Sequence, residues 1–141
     1  MTTRLLPAIL YDVLDNLKND YKQRSSIEEL LLSLNSIFGP VLTERALELI
    51  DDESVFLIQS QERYIFQVVG SRGDIYTIME VSNFCTCDFF KHQVLKDRAL
   101  CCKHFLAAKV AFILGNFKTK SETPGSVTSI LLCAYGNQEI K

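Results

Sequence analysis

The sequence contains no apolar run long enough to span a bilayer. A membrane-crossing helix needs about 20 consecutive apolar residues, and charged side chains interrupt every apolar stretch before that length. The N-terminal MTTRLLPAILYDVLDNLKND starts as an export signal would, with one Arg and an apolar run. Asp12, Asp15 and Asp20 then break the run and no small-residue cleavage site follows, so we read an intracellular N-terminus. Internal repeats and low-complexity tracts are missing too, which removes solenoids and arrays. No lysine- and arginine-rich cluster of the nuclear-signal kind occurs.

What remains is an ordinary globular composition, 48% apolar and 23% charged over 141 residues. A chain of this length suits one domain and buries roughly 68–70% of its unfolded surface. It does not need a metal merely because it is small. Five cysteines occur, an odd number, and four of them lie between residues 85 and 102 with His104 just beyond. In a chain without an export signal, that clustering points to metal rather than to disulfides.

Charge is unevenly spread. Residues 1–53 carry five basic and ten acidic side chains, while 88–120 carry seven basic and two acidic. The basic stretch holds Lys91, Lys96, Arg98, Lys103, Lys109, Lys118 and Lys120. Such polarity marks either an electrostatic partner surface or two solvated faces.

The apolar spacing predicts α+β architecture. Leu6, Ile9, Leu10, Val13, Leu14, Leu17 and Tyr21 recur at helical intervals over 5–21, with Pro7 in the first turn. Ser26 and Glu29 form a capping box for a second helix through Leu30, Leu31, Leu34 and Ile37, which Gly39 and Pro40 end. A third helix covers about 41–50. The period then changes. SVFLIQ, RYIFQVV and IYTIME are rich in β-branched and aromatic residues, and short polar breaks separate them, as in a three-stranded antiparallel meander. After an irregular stretch over 81–100, with a short helix following Asp88, CCKHFLAAKVAFILG predicts a helix closed by Gly115. Residues 116–125 read as a linker, and Ser126 as the cap of a last helix carrying Val127, Ile130, Leu131, Ala134 and Tyr135. The expected organisation is an N-terminal helical region (1–53), a meander with a metal site (54–115) and a linker with a C-terminal helix (116–141), in one compact domain.

The chemistry concentrates in Cys85-Thr-Cys87, fourteen residues, then Cys102-Lys-His104. Three thiolates and an imidazole are a standard tetrahedral set for structural zinc, and their softness suits zinc over hard cations. Two cysteines one residue apart can both face a metal from a turn. The second pair falls at a helix start, where the dipole favours the negative charge of a three-thiolate zinc. Cys101 complicates the assignment: it shares a helix face with His104 three residues on, whereas Cys102 serves only if the helix begins after it.

A strand-rich segment followed by C-x-C…C-x-H at a helix start resembles the SWIM zinc-finger domain over about residues 54–115. With the short chain, the acidic helical N-terminus containing LLLSLNSIFG, the YIFQVVGS strand and the LCCKH approach to an apolar helix, the whole resembles the small SWIM-domain subunits of Shu-type complexes. The resemblance implies one structural zinc on Cys85, Cys87, Cys102 and His104. It also implies a non-catalytic subunit that pairs with a recombinase-paralogue partner as a heterodimer, promotes homologous recombination, and resides in the nucleus.

Other residues read more plainly. His92 is either an extra donor near the site or an exposed histidine in a polar stretch, and the second reading is adopted. Cys133 reads as packed in the last helix. Asp51, Asp52 and Glu53 read as a solvated turn, since a calcium loop needs spaced ligands. Phe84, Phe89 and Phe90 read as an apolar shell over the metal. Two further functions stay open. The basic 88–120 segment with nearby aromatics suits single-stranded DNA, contacted directly or through a complex, although a pI near 5.7 opposes strong binding by this chain alone. A thiol enzyme activated by His104 would need cysteines that zinc claims.

Overall fold

Leu10, Leu14 and Leu17 are buried along one side of α1 (Thr2–Arg24), as their helical spacing requires. The computed structural model describes residues 2–24, 26–61, 63–79, 84–94 and 100–140, and their side chains except at 2–9, 24 and 135–140. Expectations placed on the side chains of Leu6, Ile9 and Tyr135, and on Lys96 and Arg98, lie outside the described residues. Helix α1 starts earlier than its apolar spacing suggests, so Pro7 lies past its first turn.

Ser26 caps α2 (Ile27–Phe38): its hydroxyl accepts the Glu29 amide at 3.3 Å. Glu28 and Glu29 place negative charge at the positive end of the helix dipole. Gly39 ends α2 with φ of 87°, a value that favours glycine, and donates its amide to the Asn35 carbonyl at 3.0 Å. Pro40 does more than stop α2: it is the first residue of α3 (Pro40–Asp51), where its missing amide costs nothing.

The meander forms as expected from β1 (Val55–Ser60), β2 (Arg63–Val69) and β3 (Ile75–Met79), with Leu57 opposite Phe66 and Phe66 opposite Ile78. It is part of a larger, mixed sheet. Short strand β4 (Phe84–Cys85) pairs antiparallel with β3, and β5 (Lys118–Ser121) pairs parallel with β1, giving the order β4-β3-β2-β1-β5. Strand β5 occupies what the sequence reads as linker. Its residues KTKS are all exposed, so no apolar alternation announces it, and two lysines suit an edge strand that must not template further pairing.

Both sheet faces are covered. Val55, Leu57, Phe66, Val68 and Ile78 pack toward α1–α3 and α4 (Lys103–Leu114). Ile58 and Ile65 pack against Val127 of α5 (Pro124–Ile140), with Phe56, Ile130 and Leu131 around them. Phe66 lies at the centre, edge-on to Phe112 at 6.0 Å and Phe117 at 6.2 Å. Burying such a side chain contributes about 1.5–3 kcal/mol. Helix α4 is apolar nearly all round, as a helix enclosed on several sides should be. The cap of α5 is Thr123, whose hydroxyl accepts the Ser126 amide at 3.1 Å, not Ser126 itself. Among the described residues, no helix is long and apolar enough to cross a membrane.

Candidate metal centre

Two backbone features aim the four donors at one point. Strand β4 carries Cys85 opposite Ile78, and Thr86 clamps the following bend to β3. The Thr86 hydroxyl accepts the Thr77 amide at 3.1 Å, and the Thr86 amide donates to the Thr77 carbonyl at 3.3 Å. With Thr86 held on both sides, Cys85 and Cys87 stand at fixed positions on either side of it. A helical segment begins just after Cys87 and runs into a π-helical turn at Phe90–Val94.

The second feature is the start of α4. Cys102 is its N-cap, with an extended backbone at φ −91° and ψ 169°. His104 is the second residue of the helix. Because Cys102 stands outside the helix, C-x-H does not have to satisfy helical spacing. Sγ of Cys102 accepts the Phe105 amide at 3.4 Å, and Sγ of Cys87 accepts the Phe90 amide at 3.3 Å. Each sulfur thus sits where a capping oxygen would, at the positive end of a helical turn.

Cys85, Cys87, Cys102 and His104 are all buried, and one donor atom from each lies within 4.8 Å of the others. The His104 Nδ1 is 3.8 Å from the Cys85 Sγ. Zinc–sulfur bonds of about 2.3 Å at a tetrahedral centre place neighbouring donors roughly 3.8 Å apart. The donor set, its burial and its dimensions fit one structural zinc. Cys101 is fully buried but is not among the converging four. Among the described residues, no other group of three or more potential ligands converges.

Comparison with known proteins agrees. Zinc finger SWIM domain-containing protein 7 of Mus musculus is 35% identical over 130 residues, covering 90% of this chain and 85% of the mouse protein. The Homo sapiens protein of the same name is 34% identical over 131 residues, covering 91% and 93%. That of Danio rerio is 32% identical over 129 residues, covering 89% and 91%. The chain belongs to the zinc finger SWIM domain-containing protein 7 family. No protein-family profile and no solved structure matches it.

In this family member the three thiols of the cluster do not ionise alike. Hydrogen bonds from Cys102, and then from Cys85, pull Cys87 well below the ordinary thiol range. The same partners act in reverse on Cys85: its bonds with Cys102 and Cys87, together with burial, push it far up. The Cys102 bond with Cys85 lowers its pKa, but the Cys87 interaction and burial outweigh that and push the pKa up to about 12. Of the three, Cys87 is therefore the first to ionise, and Cys85 and Cys102 hold their protons longer. Burial, first of all, pushes Cys101 up as well, so it stays an apolar thiol.

The surroundings match the sequence reading in part. Phe90 is buried and Phe84 half-buried, packed edge-on at 5.2 Å as an apolar shell. Phe89 is exposed and is not part of that shell. His92 is exposed in the π-helical turn, apart from the converging donors. Asp51, Asp52 and Glu53 are exposed, and Glu53 pairs with Lys118 at 3.2 Å. Cys133 is exposed, against the expectation of packing. Val127, Ile130, Leu131 and Ala134 form the inner stripe of α5, and Cys133 lies off it.

Two features escape the sequence. Tyr76 stacks on the His104 ring at 4.1 Å and 25°, which fixes the plane of the imidazole. Alternation places Tyr76 on a strand but gives no sign of its partner. A cleft of about 380 Å³ also opens beside His104, bordered by Glu48, Asp52, Asp74, Arg45, Arg72 and Lys103. His104 reaches the cluster through Nδ1, which leaves Nε2 as the ring's second polar atom.

Proposed function

We propose that this chain is a zinc-stapled, non-catalytic subunit of a Shu-type complex. In this reading it pairs with a recombinase-paralogue protein, supports homologous recombination repair of DNA double-strand breaks, and works in the nucleus. Cys85, Cys87, Cys102 and His104 hold the zinc. The observation that carries the reading is a complete, buried four-donor set in a chain of the zinc finger SWIM domain-containing protein 7 family. Four protein donors leave no position for a water or substrate, so the metal supplies folding energy rather than chemistry. The test is co-expression with each recombinase paralogue of the same cell. One paralogue should co-purify with the wild-type chain and be lost with Cys87→Ser. If no paralogue co-purifies with the zinc-loaded chain, and cells lacking it repair breaks normally, the reading is wrong.

A second reading has one specific observation behind it. Lys118 and Lys120 stand exposed on edge strand β5, with their ammonium groups 6.0 and 5.4 Å from the Phe56 ring centre. Lysines beside an aromatic ring suit single-stranded DNA. Binding of an oligonucleotide by the chain alone should then weaken with salt, with a log–log slope of about −0.7 per phosphate contacted. No binding at low salt disposes of this reading.

A further inference from the structure

Helices α1 and α2 enclose a groove of about 310 Å³ that shares no residue with the metal centre. Its floor is apolar, made by buried Leu17 and Leu30 and half-buried Tyr21. One wall carries Leu32, which is 69% exposed, more than any other large apolar side chain described. The acidic residues Asp20 and Glu29 border the same groove. A lone exposed leucine is unremarkable on a protein surface. Here it continues an apolar floor inside an acidic border, and that combination has directional chemistry.

The dimensions select the occupant. The lining runs from Leu17 to Tyr21 on α1 and from the cap residue Ser26 to Ser33 of α2. At 1.5 Å per residue the longer side spans about 10 Å, or two turns of a docked helix. An apolar floor takes apolar anchors at helical spacing. The charge selects further: residues 1–53 carry ten acidic against five basic side chains, a field that steers cations.

We infer that the α1–α2 groove docks a basic amphipathic helix of a partner protein. Its apolar side chains lie on Leu17, Leu30 and Leu32, and its lysines or arginines face Asp20 and Glu29. The groove is then the face through which the subunit meets its partner; it rests on the proposed function for that partner's identity, not for its chemistry.

The test uses the full zinc-loaded chain and two synthetic helices with one leucine stripe, their polar faces all lysine or all glutamate. The lysine helix should bind about tenfold tighter or more. Raising salt from about 50 to about 500 mM should narrow the difference. Leu32→Asp should weaken lysine-helix binding about tenfold, and Asp20→Lys with Glu29→Lys should reverse the preference. Val41→Asp, at an exposed apolar residue of α3 outside the groove, should change nothing. Equal binding of the two helices, or no response to Leu32→Asp, overturns the inference. So does self-association that Leu32→Asp abolishes, since the occupant is then a second copy. A paralogue that binds wild type and Leu32→Asp equally moves the partner off this groove and leaves the proposed function standing. Lysine-helix binding with no paralogue binding at all keeps the groove and sinks the proposed function.

Discussion

Cys102 stands one residue outside α4, and that offset lets a cysteine and a histidine two apart meet at one point. Replacement of Cys102 by Ser should abolish zinc retention, and Cys101→Ala should keep one zinc per chain; native mass spectrometry distinguishes them. The reverse result would move the ligand to Cys101. The thiol acidities give a second prediction. Cys85 and Cys102 are raised above the ordinary range, so near neutrality both carry protons that zinc must displace. Zinc affinity therefore falls as pH falls. Two displaced protons correspond to about 100-fold per pH unit near neutrality. Competition with a coloured chelator between about pH 6.5 and 7.5 measures the slope, and a pH-independent affinity contradicts the assigned protons.

At the scale of elements, each end of a helix reports whether its signal was local. The Ser26–Glu29 cap was readable because both partners lie in one short stretch. Ser26→Ala should cost about 1 kcal/mol and Ser26→Gly a few tenths, measured by urea unfolding. The Cys/His spacing was readable for the same reason, as were α1–α3 and the meander. Strand β5 was not, because four polar residues become a strand only through pairing with β1 some sixty positions earlier in the chain. Tyr76 was placed on its strand but not against His104, since stacking across the fold has no sequence period. Cys133 was misplaced because an apolar helix with several apolar faces does not show which one packs. Its exposure predicts that a thiol reagent labels one cysteine per zinc-loaded chain quickly, with the four buried thiols following only after chelation. Rapid labelling of a second thiol with zinc present would revive a reactive-cysteine role.

Over the whole molecule, the metal and the aromatic core hold different parts. Zinc draws β4 to the start of α4, whereas Phe66 joins β2 to Phe112 and Phe117. Chelation should therefore raise hydrogen exchange around residues 85–105 while α1–α3 stay protected. Phe66→Ala should cost about 3–5 kcal/mol, a large share of the roughly 5–15 kcal/mol that holds a domain together, and should weaken protection throughout. If chelation unfolds the whole chain, the separation does not exist.

The β1–β5 pairing also sets an order of events on the ribosome. Strand β1 leaves the exit tunnel early, but its outer edge is closed only when Lys118–Ser121 follows. At about 5–20 residues per second, the nascent chain carries that bare edge for roughly 3–12 s. A chain ending between residues 61 and 117 would carry it permanently, with Val55–Ser60 open to neighbouring chains. Premature termination would then yield aggregates rather than a shortened subunit.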